Sequence, residues 1–379
     1  MSDVSAPVTG TCASRFAVVR DAFAQLLESG QDVGASVAVS VDGVLEVDLW
    51  GGFADAARTR PWERDTIINV FSTTKTMMAL TALLLADRGV LDLDAPVARY
   101  WPDFAANGKR DVRVRHLLGH TSGVSGWQER IAVEDLYDWE KATSLLAAQA
   151  PWWEPGTASG YHALDQGFLV GEVVRRVTGE TMGALFAREI AGALAADFHI
   201  GLDARHDARV ARVIPPPAGL PPLGDSIALR TLGNPPFRAE ATWTEPWRRA
   251  ELGAVGGHGN ARSVATIQSV LACGGAVGGR RLLSPEGCAR VLEVQAEGTD
   301  LVLGVPVRFG MGYGLTSETL PLGPNPRTCF WGGWGGSLVV VDMDARIVVA
   351  YVMNRMGEGT LGDARGLSLV MAAYGGLAG

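Results

Sequence analysis

Ile68-Asn69-Val70-Phe71-Ser72-Thr73-Thr74-Lys75-Thr76-Met77-Met78-Ala79-Leu80 places a serine three residues ahead of a lysine at the head of an almost wholly apolar helix. The chain has only two other lysines, Lys109 and Lys141, both in polar stretches of sequence, and arginine supplies the rest of its 33 basic residues. A chain so rich in arginine does not need a lysine inside this run for solubility. An amine, unlike a guanidinium, can lose its proton when desolvated and then act as a base. Residues three apart share a helical face, so the Ser72 hydroxyl and the Lys75 amine can meet. A serine at a helix N-terminus also has free N–H groups and the positive end of the dipole beside it, a field that favours an alkoxide and a developing oxyanion. The plainer reading, Ser72 as an N-cap, leaves the lysine unexplained.

Outward from this helix the pattern is mixed. The helix is expected to reach about Arg88 and stop at Gly89, and its all-round apolar character places it between layers. Upstream, residues 15–30 read as an amphipathic helix; strands Gly34–Val41 and Val44–Trp50 follow, joined by the hairpin signal Asp42-Gly43. From about 90 to 250 the pattern is helical and loop-rich. The prolines at 215–217, 221–222 and 235–236 predict a long ordered loop or cap over 214–236. A helix is expected over Arg262–Cys273, strands over Thr328–Gly332, Ser337–Asp342 and Ile347–Asn354, and a last helix near Gly362–Tyr374. The fold class is therefore α/β (α+β): an antiparallel sheet flanked by helices and built from both ends of the chain. Residues 1–70 and 255–379 would form it, with 71–254 a mainly helical inserted subdomain.

Composition narrows the function. At 379 residues the chain can bury a large core, and no apolar run has the length of a membrane span. A net charge of −8 without a basic cluster argues against nucleic-acid binding. The six histidines form no compact ligand pattern, so no metal is expected, and no cofactor is called for. Cys12, Cys273, Cys288 and Cys329 are scattered, and Met1 to Phe16 lacks a secretory pattern; a cytoplasmic protein with reduced thiols is expected.

A Ser–Lys nucleophile needs a second proton-handling group and an oxyanion hole. Tyr161 ends the Pro/Gly loop from Glu154 and precedes an apolar helix. A tyrosine set against a lysine can be held near ionisation and shuttle protons; equally, it can cap a core. His162 competes as a base, although a lone histidine beside a helix start is more often structural. Trp331-Gly332-Gly333-Trp334-Gly335-Gly336 sits at the entrance of a strand pair, where paired glycines mark either the close approach of a ligand or a bulge at a sheet edge. No G-x-S-x-G occurs, which excludes the nucleophile elbow of α/β-hydrolases.

Taken in order, these motifs resemble those of the serine β-lactamase and penicillin-binding-protein superfamily, and within it the family VIII carboxylesterases with a class C β-lactamase-like fold. The likeness extends through Val114 to Gly123, Pro155-Gly156-Thr157, Gly171 to Gly179 and Gly257 to Ser263. It implies Ser72 as nucleophile, Lys75 as its base and Tyr161 as proton relay. Trp331, Gly332 and Gly333 would then contact substrate where β-lactamases carry K-T-G, and the N–H groups of Ser72 and Trp334 would hold the oxyanion. Two departures bear on substrate: Ala163 stands for the asparagine of Y-x-N, and Trp331 for the lysine of K-T-G. Both losses weaken the case for β-lactam hydrolysis and favour a neutral ester, with tryptophans lining an apolar pocket. The expected activity is hydrolysis of short-chain carboxylic esters through an acyl-enzyme, the partner being a small-molecule ester. The rivals are a weak β-lactamase or D,D-peptidase, an acyltransferase of the same fold, and a catalytically silent binding module.

Overall fold

Asp42 and Gly43 both take positive φ, 51° and 79°, as the tight hairpin turn demands. The strands they join lie inside a nine-stranded sheet. The computed structural model describes residues 7–216 and 226–378. In chain order the sheet strands are β1 (Thr9–Cys12), β2 (Gly34–Val41), β3 (Val44–Gly52), β4 (Ala296–Thr299), β5 (Pro306–Phe309), β6 (Gly314–Leu315), β7 (Thr328–Gly332), β8 (Leu338–Asp342) and β9 (Ile347–Met353). Their spatial order is β1-β3-β2-β9-β8-β7-β6-β5-β4, with every neighbouring pair antiparallel. The seam between the two ends of the chain is β2–β9, running from Ile347 opposite Val41 to Met353 opposite Ala35.

The central strands are apolar on both faces, as a doubly covered sheet requires. Val340, Val349 and Tyr351 pack toward Phe16, Val19, Leu369 and Val370, under helices Ala17–Glu28 and Ala364–Ala378. Val339, Val341 and Val348 face the larger core, which holds helix Ala261–Ala272 and helix Thr74–Asp87. Every residue of the latter from Thr74 to Leu85 is buried. Residues 53–295 contribute no strand to the nine-stranded sheet among the described residues. Where the chain leaves the sheet side and returns to it, Ile68–Asn69 pairs with His258–Gly259.

Three expectations change. Strands β4, β5 and β6 were not foreseen; they are two to four residues long, contain proline or glycine, and finish the sheet with β4 at its edge. In the cap segment, 217–225 lies outside the described residues, while Ile227–Leu232 is a short helix capped by Ser226 rather than loop. Lys109 is not in polar surroundings: it is buried, its amine donating to the carbonyls of Ala106, at 2.8 Å, and Gln149.

One buried ion pair ties the chain ends to the sheet. Arg365 Nη1 donates to Asp32 Oδ1 at 2.7 Å, Tyr351 donates to the other Asp32 oxygen at 2.6 Å, and Arg365 Nη2 reaches the Gly335 carbonyl at 2.7 Å.

Candidate active site

Phe71 has φ of 44°, a left-handed conformation that costs a residue with a Cβ about 1–3 kcal/mol. It turns the chain out of Ile68–Asn69 into a 3₁₀ turn, Phe71–Thr73, that leads into helix Thr74–Asp87. Ser72 therefore sits just before the α-helix and makes no capping bond, correcting the picture of a serine opening a regular helix. Its hydroxyl is committed elsewhere: Ser72 Oγ lies 2.6 Å from Tyr161 Oη and 3.3 Å from Lys75 Nζ.

Lys75 is fully buried, and its amine also donates to the carbonyls of Ala163 at 2.7 Å and Ala254 at 3.1 Å. Burial pushes its pKa down to about 7 against an opposing pull from Asp165. A neutral amine has two N–H bonds and one lone pair. With both N–H bonds spent on carbonyls, the lone pair is left for the serine proton.

Tyr161 is set in place from behind. The Asp300 carboxylate accepts the N–H of Tyr161 at 3.0 Å and those of Val302 and Leu303 at 2.9 Å. Burial, opposed by the bond to Ser72, pushes the phenol well above its ordinary value. The expectation of a tyrosine near ionisation is thus corrected: the resting phenol is a neutral donor. Either hydroxyl of the Ser72–Tyr161 pair can donate; with the phenol donating, the serine hydroxyl is free to point toward Lys75. His162 is not positioned as a base. Its Nδ1 donates to the Gly160 carbonyl at 2.6 Å, its Nε2 meets Ser122 Oγ at 2.6 Å, and burial pushes it down to about 3.

The N–H groups of Ser72 and Trp334 have no backbone acceptor among the described residues. Gly333 brings the end of β7 against Ser72, since a Cβ built there would lie 3.3 Å from the Ser72 nitrogen and would collide with the Val70 carbonyl oxygen. A side chain at Gly332 would likewise collide with the backbone at Leu361. These glycines make room for neighbouring chain. Trp331 is buried behind Tyr161, stacked on His120 at 5.4 Å, and its indole N–H faces the Tyr161 hydroxyl without closing a hydrogen bond. None of the three lines the cavity at Ser72.

That cavity holds about 60 Å³. Its apolar wall comes from Phe71, Leu164, Leu232, Phe237, Val255 and Trp334. Of the tryptophans expected to line a pocket, Trp127 and Trp247 are core and Trp334 is the one at this wall, edge-on to Phe71 and Phe237. A larger groove of about 1160 Å³ beside Trp101 and Trp139 contains neither Ser72 nor Lys75. Chemistry, not size, marks the site. Leu232 and Phe237 escaped sequence reading because the proline-rich segment carries no periodic signal.

The Beta-lactamase family model matches residues 19–371. The chain belongs to the beta-lactamase family. Over 368 residues it is 35% identical to the Esterase/beta-lactamase LipL of Mycobacterium tuberculosis, covering 93% of this chain and 84% of that protein. A solved family VIII carboxylesterase superposes with a TM-score of 0.92 at 44% identity, over 97% of this chain and 99% of the other. A penicillin-binding protein homologue from Caulobacter crescentus gives the same TM-score, 0.92, at 37% identity, over 98% and 100% of the two chains. The beta-lactamase-like fold and the resemblance to family VIII carboxylesterases therefore hold along nearly the whole chain.

Proposed function

We propose that this beta-lactamase-family chain is a serine carboxylesterase that cleaves short-chain esters through an acyl-enzyme on Ser72. The carrying observation is the Ser72 oxygen, held 2.6 Å from a neutral phenol and 3.3 Å from a buried amine whose N–H bonds are already engaged. Lys75 takes the serine proton as Ser72 Oγ bonds to the ester carbonyl carbon. The oxyanion is held by the N–H groups of Ser72 and Trp334. Tyr161 protonates the departing alkoxide, and the Lys75 ammonium restores the Tyr161 proton. Water then attacks the acyl-enzyme, giving its proton back through the same pair and releasing the acid.

The wall of the cavity supports an uncharged substrate, for it offers no charged group to a carboxylate. The cavity is small and its wall apolar, which supports a short acyl chain. Four unpaired cysteines suit a reducing compartment, so the cytoplasm is the proposed location; no helix among the described residues is long and apolar enough to cross a membrane.

The test is hydrolysis of p-nitrophenyl acetate and of nitrocefin by wild type and Ser72→Ala. Ester turnover that disappears with Ser72, and slow nitrocefin turnover, are expected. Retention of esterase activity by Ser72→Ala would sink the mechanism, and rapid nitrocefin turnover would sink the substrate class.

A further inference from the structure

Tyr161 lies in a stretch, 159–162, that belongs to no helix or strand. Its position is therefore set by bonds to other segments. On one side the Gly160 N–H donates to the His120 carbonyl at 2.9 Å, and the His162 N–H donates to His120 Nδ1 at 3.0 Å. On the other side the Tyr161 N–H donates to Asp300 Oδ1 at 3.0 Å, and the Ser159 carbonyl accepts the Leu301 N–H at 2.9 Å. The second pair comes from the loop that joins β4 to β5, at the edge of the sheet where β4 is the last strand.

Within that loop Asp300 is buried, and the same Oδ1 also accepts the N–H groups of Val302 and Leu303, each at 2.9 Å. Its other oxygen has no hydrogen-bond partner among the described residues. The loop is closed on itself by the Asp300 N–H, which donates to the Val305 carbonyl at 3.1 Å, and by the Gly304 N–H, which donates to the Asp300 carbonyl at 2.9 Å. A residue that only shaped its own turn would need no more than these bonds. The bond to Tyr161 spans 139 residues of chain and ends on the residue whose hydroxyl lies 2.6 Å from Ser72 Oγ. Val302 packs in one cluster with Tyr161 and Trp331, so the loop also backs the phenol ring with apolar contact.

We propose that Asp300 is a positioning residue for the Ser72 reaction, seating the Tyr161 hydroxyl from the edge hairpin of the sheet. The inference rests on Tyr161 as the proton relay of the mechanism given above. Asp300 makes its side-chain bonds to Tyr161 and to its own loop, so its effect on Ser72 passes through the tyrosine. Proton transfer needs heavy atoms about 2.6–3.2 Å apart, and a displacement of about 1 Å can cost about 10²-fold in rate. What the tyrosine segment requires is an acceptor at Oδ1. The second oxygen, lacking a partner, can be exchanged for an amide nitrogen without breaking a bond.

The experiment compares p-nitrophenyl acetate hydrolysis by wild type, Asp300→Ala, Asp300→Asn, Tyr161→Phe and the double variant Tyr161→Phe/Asp300→Ala. Rates are expressed per Ser72 titrated with a fluorophosphonate, which removes any change in the folded fraction. In Asp300→Ala kcat should fall about a hundredfold with KM within about twofold of wild type. Asp300→Asn should keep kcat within about threefold of wild type, because its amide oxygen still accepts the three N–H groups. The double variant should be no slower than Tyr161→Phe, since a residue acting through the phenol then has nothing left to position. A purely structural Asp300 would lower the unfolding midpoint and leave kcat per titrated site unchanged. That result overturns the proposal, as do losses that multiply in the double variant or an Asp300→Asn as slow as Asp300→Ala. If Asp300→Ala does not fold, Asp300→Ser takes its place under the same criteria. A wild-type rate in Tyr161→Phe would instead refute the relay itself, a failure read on a variant that keeps Asp300.

Discussion

The Ala163 carbonyl accepts the Lys75 amine at 2.7 Å, so the residue standing where β-lactamases have asparagine serves the site through its backbone. The side chain at 163 can be lost as a polar group while the lysine stays anchored. Together with the Ala254 carbonyl at 3.1 Å, this contact makes the amine a directed lone pair rather than a mobile cation.

The first consequence concerns pH. The Lys75 pKa is pushed down to about 7 by burial, with Asp165 opposing, and on the proposed mechanism its neutral form is the base. Below about 7 the amine is protonated and cannot take the serine proton. Plots of kcat/KM against pH should therefore rise through an apparent pKa near 7 and fall about tenfold per pH unit on the acidic side. A profile flat down to pH 5 would remove Lys75 from that role.

Tyr161→Phe deletes the hydroxyl that lies 2.6 Å from Ser72 Oγ and leaves the ring in its packing. Loss of a positioned acid–base group lowers kcat by about 10²–10⁴-fold, which steady-state kinetics will read, and thermal unfolding should scarcely move.

On the proposed reading, acyl-chain length is limited by the cavity wall. Phe237→Ala or Leu232→Ala enlarges a space of about 60 Å³ and should raise kcat/KM for the hexanoate ester over the acetate by about tenfold. An unchanged series of p-nitrophenyl acetate, butyrate and hexanoate would mean that the acyl group lies elsewhere.

Lys109→Met separates burial from catalysis. Burial pushes this amine too down, to about 8, yet its partners are the Ala106 and Gln149 carbonyls, with no hydroxyl among them. Stripping a donor from buried carbonyls costs about 1–3 kcal/mol, visible as a lower denaturant midpoint, while the acidic limb should stay where wild type has it.

Arg365→Ala leaves the Asp32 carboxyl, wholly buried, without its guanidinium. Breaking one side of a buried ion pair costs about 3–5 kcal/mol, and urea unfolding should show it as a shifted midpoint. Because Arg365 also holds the Gly335 carbonyl, the remaining folded enzyme should lose kcat.

How much of this was readable beforehand depended on the physics of each segment. The Ser72 helix announced itself because a lysine in an otherwise apolar run has few explanations, and Asp42-Gly43 because its turn needs two positive φ values. Strands β4 to β6 hid because strands of two to four residues are too short to show apolar alternation. Trp331 and Phe330 show a subtler limit. Neighbours in a strand point to opposite faces, and here Phe330 joins the core under the terminal helices while Trp331 goes behind Tyr161. The motif located the strand, but which face met the substrate depended on the register of the whole sheet. Asp165 and Lys109 hid because a single polar residue at a helix start or in a loop looks solvated until the far segments that cover it are known.

Arg365 is the second residue of helix Ala364–Ala378, and it grips the loop that carries Trp334 through Gly335. On the proposed mechanism, oxyanion support thus depends on a residue near the far end of the described chain, because the loop bearing the Trp334 amide is anchored through Gly335 by Arg365. Loss of the chain from Arg365 onward would remove that anchor together with the core residues Leu369, Val370 and Ala373, so one helix serves both the fold and the loop beside Ser72.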